Sequence, residues 1–233
     1  TRHWCSSSTA GFHSADDGAN PIMTHLKTVE LFCGTKSFSR VMEREGHSTF
    51  TLDNDMQFSA TVTADVCLWR PQAECYNADI LWASPPCEGF SVAVIGRNWY
   101  HDHTPKTDSA RLAMKLAQRT LDLIQELQPK WWFIENPRGK LRRMPFMEKL
   151  VEGGAAKRRT VSYCQYGDTR QKPTDIWTNA LWWEPKPKCA RGAKCHEAAP
   201  RGSRTGTQGI KGARDRGRIP EALFEEILAQ MPQ

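Results

Sequence analysis

Cys87 is the residue of this chain best placed to be a nucleophile. It ends the run Ser84–Pro85–Pro86–Cys87, directly after the apolar stretch Ile80–Ala83. Two prolines fix the backbone before the thiol. A rigid thiol at the end of a strand is set to react, whereas a structural cysteine sits inside the strand. A second motif, Glu135–Asn136–Pro137, closes the apolar run Trp131–Ile134 in the same way. No histidine stands in an obvious motif with Cys87, which argues against a cysteine protease. A thiol with a carboxylic acid suits addition to an electron-poor ring whose nitrogen takes a proton as the thiolate adds.

Three further groups carry chemistry. The loop from Glu30 to Ser39 joins a strand to a helix through Cys33, Gly34, Thr35, Lys36 and Ser37. Small residues there let backbone N–H groups approach a ligand, although an ordinary tight turn has the same composition. It matches neither the GxGxxG pattern nor a Walker loop. Asp53 follows the next strand, where an acid commonly binds ribose hydroxyls, and Asp65 can accept from an exocyclic amine. Either acid can equally be a solvated loop residue. Cys189, Cys195 and His196 put three soft ligands within eight residues, with Cys164 as a candidate fourth for zinc. Their spacing is not a paired Cys-x-x-Cys set, so unliganded loop residues are the alternative.

The elements that must position these groups alternate strand and helix. Thr28–Phe32, Thr49–Leu52, Ile80–Ala83 and Trp131–Ile134 are short apolar strands. Phe38, Val41 and Met42 recur at helical spacing, with Gly46 as the stop. Residues 109–128 form the strongest helix, with Ala113, Leu116, Ala117, Leu121, Ile124 and Leu127 on one face. Such alternation predicts a parallel sheet with helices on both faces and a ligand at the carboxyl ends of the strands. Each polar group named on the first four strands falls at such an end. Beyond residue 150, Thr160–Cys164 and Asp175–Thr178 read as two more strands. A last helix begins at Pro220 and buries Leu223, Phe224, Ile227 and Leu228.

Charge divides the chain. Residues 1–150 hold 17 basic and 17 acidic side chains, whereas 151–233 hold 15 and 9. The net charge of +6 therefore lies wholly in the second part. Most of it falls in the Gly- and Arg-rich segment 184–218, which suggests an arm against a polyanion, or else a solvated loop. The expected organisation is an unstructured tail over 1–25, a catalytic domain over 26–183, the basic segment 184–218 and a helix in 219–233 packed on the catalytic domain. No stretch approaches the roughly 18 apolar residues of a membrane span, and no signal-peptide pattern is present, so a cytoplasmic protein is expected. The eight cysteines are then expected to be reduced.

The order of the Phe-Cys-Gly loop, Asp53, Asp65, Pro-Pro-Cys87, Glu135–Asn136–Pro137 and Tyr166–Gly167 resembles the DNA (cytosine-5) methyltransferases, in particular their compact phage-encoded forms. The resemblance covers about residues 28–180. It implies a Rossmann-like α/β methyltransferase fold, S-adenosyl-L-methionine as cofactor and a flipped-out cytosine in DNA as substrate. By motif, Phe32 and the loop Cys33, Gly34, Thr35, Lys36 and Ser37 correspond to the cofactor's methionine site. Asp53 with Asn54 corresponds to the ribose site, Asp65 with Val66 to the adenine site, and Pro85 borders the cofactor. Cys87 corresponds to the nucleophile, and Glu135 to the acid on the cytosine N3 and exocyclic amine. Pro86, Glu88, Phe90, Ser91, Asn136, Arg170, Gln171 and Lys172 correspond to the substrate side, with Arg201, Arg204 and Arg214 in the DNA-reading segment.

The chain also departs from the family. Lys36 and Ser37 stand in place of two glycines, Glu88 in place of a glutamine, and Pro137 in place of a common valine. Pro173 and Asp175 occupy two arginine positions, and no large target-recognition domain is present. These departures leave room for two other readings. One is a methyltransferase-like protein that binds DNA without turnover. The other is a relative that acts on RNA or transfers a modified group, with the Lys36 cation beside an extra carboxylate.

Overall fold

The computed structural model describes residues 25–190, 192–197 and 212–232. Arg201, Arg204 and the expected tail up to residue 24 lie outside the described residues. Among the described residues, seven strands form one sheet: β1 (Lys27–Leu31), β2 (Ser48–Asp53), β3 (Val62–Thr63), β4 (Ile80–Ala83), β5 (Trp131–Pro137), β6 (Lys157–Ser162) and β7 (Pro173–Thr178). Their order is β3-β2-β1-β4-β5-β7-β6, and β7 alone runs against the rest. This is the expected Rossmann-like α/β sheet. The strand order reverses between β1 and β4, which opens a crevice at their carboxyl ends.

The sheet is covered on both faces because its central strands are apolar on both. In β4, Leu81 and Ala83 join the core that holds α3 (Asp108–Leu127), while Ile80 and Trp82 join the core that holds α1 (Ser37–Arg44) and α6 (Glu221–Gln230). Trp82 is the centre of the second core. It stacks on Phe38 and Phe133 at 5.8 and 5.7 Å between ring centroids and meets Phe224 edge-on at 4.8 Å. Burying each such side chain contributes about 1.5–3 kcal/mol. The last helix is thereby tied to the first, and Arg44 reinforces the contact through Glu221 and Glu225.

Local signals explain the helix ends. Glu30 reaches from β1 to the start of α1, where it accepts from the backbone of Phe38 and Ser39 and from the Ser39 hydroxyl. A carboxylate there meets the positive end of the helix, while burial pushes its pKa up to about 7. Gly46, at φ 83°, ends α1 in the left-handed conformation that glycine adopts without strain. Thr107 caps α3 by accepting from Ala110 N at 3.2 Å.

Several elements differ from expectation. β5 does not break at Glu135 but runs to Pro137, because β7 pairs with it through Glu135↔Ile176, Asn136↔Asp175 and Pro137↔Thr174. Pro220 precedes α6 instead of opening it, and Leu228 is half-buried. On α3, Leu121 is half-buried while Thr120 and Leu123 are buried, since a flat sheet covers a broader face than one stripe. The short elements β3, α2 (Ile95–Asn98), α4 (Pro145–Val151) and α5 (Ala213–Gly217) carry too little periodicity to be read in advance.

Candidate active site

The chain leaves β1 through a tight loop in which Phe32, Gly34 and Lys36 have φ of 58°, 47° and 56°. A bulky residue such as Phe32 enters this region only where the surroundings hold it there. Asp53, at the end of β2, is one such holder: Oδ2 accepts from Gly34 N and Oδ1 from Asp55 N, both at 2.9 Å. Each oxygen retains a second lone pair for a ligand. Phe32, Asp53, Asn54, Asp65 and Val66 line one cleft, together with Pro86 and Leu116 of α3. Asp65 uses one oxygen to accept from Cys67 N and is otherwise exposed. The cleft thus sets two carboxylates, which can accept hydrogen bonds from hydroxyls and amines, against an apolar lining.

The remaining loop residues are placed differently. Ser37 lines a larger neighbouring cavity with Tyr166, Asp168 and the start of α6, and it accepts from Ile219 N at 3.2 Å. The Thr35 hydroxyl lies 3.1 Å from that of Ser37. Cys33 is buried, and burial pushes its thiol up to about 12. Lys36 turns its ammonium to the Ser59 carbonyl.

Cys87 follows β4, and Glu135 lies in β5, its hydrogen-bonded neighbour. The half-buried thiol is pushed up by burial and further by Glu135, while Lys172 acts in the opposite direction. The three groups therefore share one electrostatic environment. Glu135 is buried, and its Oε1 accepts from the Tyr163 hydroxyl at 2.8 Å. Among the described residues, its Oε2 receives no hydrogen bond and is free for a ligand. Asn136 joins the two strand ends by donating Nδ2 to the Pro85 carbonyl at 2.9 Å. Trp99 and Asn98 donate to the Gly89 carbonyl and pin the loop beyond Cys87. A Cβ at Gly89 would collide with Ala113 of α3, which explains the glycine there.

Some expected substrate contacts serve the scaffold instead. Phe90 is fully buried and stacks on Trp99 at 5.4 Å, so its ring is part of the core. Arg170 is buried: it pairs with Asp168 and donates to the carbonyls of Asp215, Arg216 and Arg218. Its guanidinium is thus committed within the protein. Pro85, expected to border the cofactor, and Asn136 are likewise buried, and among the described residues the Asn136 Oδ1 has no partner. Glu88 and Pro86 are exposed, and Ser91 is half-exposed at the start of a short turn of helix. The backbone carbonyl of Gln171 accepts from Tyr163 N at 2.9 Å. Lys172, at φ 25°, donates to the Arg216 carbonyl at 3.0 Å and lies 4.7 Å over the Tyr163 ring. Arg170 and Lys172 together fasten α5, with its exposed Arg214, to the loop beside Glu135. Asp175 is buried in an ion pair with Arg142 and takes a hydrogen bond from Thr160.

Tyr163 was not legible in the sequence. It stands 28 residues from Glu135 in no motif, and only the pairing of β5, β7 and β6 brings the two together. Among the described residues, the fold also gathers Cys164, Cys189, Cys195 and His196, with ligand atoms all within 4.8 Å of one another.

Residues 26–144 match the family model of the C-5 cytosine-specific DNA methylases. A protein of Frog virus 3 (isolate Goorha) that bears the name "Probable DNA (cytosine-5)-methyltransferase" is 31% identical over a 223-position alignment that covers 87% of this chain and 99% of that one. Two solved structures are more distant. A DNA modification methyltransferase encoded within an E. coli prophage is 20% identical, with a TM-score of 0.45 over 66% of this chain and 46% of that one. The Entamoeba histolytica methyltransferase EhMeth is 15% identical, with a TM-score of 0.48 over 69% of this chain and 55% of that one. The chain thus spans about half the length of these two structures.

Proposed function

The chain belongs to the C-5 cytosine-specific DNA methylase family, and we propose that it methylates carbon 5 of cytosine in DNA through a covalent Cys87 adduct. The observation that best supports this reading is the placement of Cys87 and Glu135 at adjacent strand ends, with Pro86, next to Cys87, lining the cleft that holds Asp53 and Asp65. S-adenosyl-L-methionine is the cofactor of the family, and when bound it supplies an electrophilic methyl group on a sulfonium. Phe32, Asp53, Asn54, Asp65 and Val66 would hold it.

The chain's residues account for the rest. The Cys87 thiolate adds to cytosine C6. Glu135 protonates or hydrogen-bonds N3 as negative charge develops in the ring, and Tyr163 fixes its orientation. Addition makes C5 nucleophilic, so methylation occurs there. Loss of the C5 proton to water and departure of the Cys87 thiolate then restore the C5–C6 double bond, and any proton taken up by N3 returns to Glu135. A stacked base cannot reach a recessed thiol, so the cytosine is extruded from the helix. A thiolate nucleophile requires reducing conditions, which points to the cytoplasm. The zinc expected at Cys189, Cys195 and His196 would touch no reacting atom in these steps.

In this reading 26–183 is the catalytic domain, 184–218 is the DNA-reading segment, and the helix in 219–233 completes the core. The anchoring of α5 by Arg170 and Lys172 supports that assignment, since it brings basic residues beside the active site.

Incubation with methyl-labelled S-adenosylmethionine and DNA of varied sequence, followed by nucleoside analysis, tests the reading. Label should appear in 5-methylcytosine. Label in another nucleoside, or in RNA alone, contradicts it. Asp53→Ala should weaken binding of the demethylated cofactor about tenfold or more, roughly 1.4 kcal/mol, because one ribose acceptor is lost and the loop at Gly34 is released. Affinity for DNA should stay unchanged. Calorimetric titration giving the wild-type dissociation constant would remove Asp53 from the cofactor site.

A further inference from the structure

We infer that Cys164, Cys189, Cys195 and His196 bind one zinc ion, which fastens the basic segment to the loop that supports Glu135. The contact distances fit a single ion. Cys189 Sγ lies 3.3 Å from Cys195 Sγ and 3.4 Å from His196 Nδ1. Cys195 Sγ lies 3.6 Å from Cys164 Sγ and 3.7 Å from His196 Nδ1. A tetrahedron with zinc–sulfur bonds of about 2.3 Å has edges of about 3.8 Å, and all four ligand atoms fall within 4.8 Å of one another. The cysteines are free, and their sulfurs stand well beyond the roughly 2.05 Å of a disulfide.

Composition makes the same point independently. Residues 186–197 contain Lys186, Lys188, Arg191 and Lys194, while their apolar side chains are confined to Pro187, two alanines and the two cysteines. Such a segment has no core to fold around, and its charges repel, yet it converges on Cys164 beside the sheet. Metal ligation supplies the folding energy that burial cannot. Three thiolates and an imidazole select zinc, and with all four positions taken by protein the site is structural. Three thiolates on a divalent ion leave one net negative charge, which the surrounding lysines balance.

The position of the site gives it a consequence. Cys164 directly follows Tyr163, whose hydroxyl donates to Glu135. Cys189 N donates to Ser162 Oγ at 3.2 Å and Glu197 N to Thr169 O at 2.9 Å, so the knuckle grips the 162–172 loop on both sides of Tyr163. The ion therefore positions the Tyr163–Glu135 pair. This consequence rests on the methyltransferase reading; the binding of metal does not.

Metal analysis of the untagged full chain, purified under reducing conditions without chelator, tests the proposal. About one zinc per chain is expected, released stoichiometrically when a mercurial titrates the thiols. Cobalt(II) should give the intense absorption of a tetrahedral thiolate site. Cys189→Ser with Cys195→Ser should abolish uptake, while Cys67→Ser, remote from the cluster, should leave it intact. Wild-type protein that carries no zinc and takes up neither zinc nor cobalt overturns the proposal, as does full metal content in the double variant. These readouts do not depend on methyl transfer, so they stand or fall apart from the activity.

Discussion

Replacing Cys87 by serine should reduce the single-turnover rate of methyl transfer by about three orders of magnitude or more, equivalent to roughly 4 kcal/mol in the barrier, while DNA binding persists. The hydroxyl is scarcely ionised at neutral pH, and among the described residues no histidine acts on this position to compensate. The wild-type pH profile carries the same information. Burial pushes the Cys87 thiol up, Glu135 adds to the shift, and Lys172 opposes it. The reactive thiolate is then the minor form near neutrality, and its fraction rises about tenfold per pH unit below the thiol's pKa. The rate of adduct formation should climb accordingly. Cys87→Ser should show no such climb, and a variant retaining a few percent of wild-type activity would exclude Cys87 as the nucleophile.

Glu135→Gln should slow transfer by roughly two to four orders of magnitude, because an amide of the same shape has no proton to give to N3. The substitution preserves the contact with Tyr163, so folding and cofactor binding should be close to wild type. Tyr163→Phe should cost less than Glu135→Gln, since it frees the carboxyl without removing it. Single-turnover rates on a common DNA substrate separate the two. A Glu135→Gln enzyme at the wild-type rate would mean that another group activates the ring.

The parts of this architecture legible in sequence are those written locally. Pro85–Pro86–Cys87 and Glu135–Asn136–Pro137 each follow a run of apolar residues, so their location at strand ends could be read without knowledge of the fold. The cleft residues Phe32, Asp53 and Asp65 were legible for the same reason: each terminates or closely follows a strand, and a parallel sheet gathers such ends. What escaped depends on pairing between distant segments. The antiparallel β7 extends β5 past Glu135 and carries Arg142's partner Asp175 into the interior. Phe90 and Arg170 occupy plausible substrate positions in the chain, but Trp99 claims one and the carbonyls of residues 215–218 claim the other. The Cys and His cluster was visible as a composition, yet Cys164 joins it only because β6 delivers that residue to the basic segment.

The covalent adduct is the central claim, and it can be trapped. DNA whose cytosines carry fluorine at C5 permits addition and methylation but not elimination, since fluorine cannot leave as a cation in place of the proton. Incubation of such DNA with the protein and S-adenosylmethionine should give a protein–DNA complex that survives denaturing electrophoresis. Mass spectrometry of its peptides should place the modified, methylated base on Cys87. Turnover on ordinary DNA with no trapped complex on the fluorinated substrate, or a complex through a different cysteine, would contradict the account.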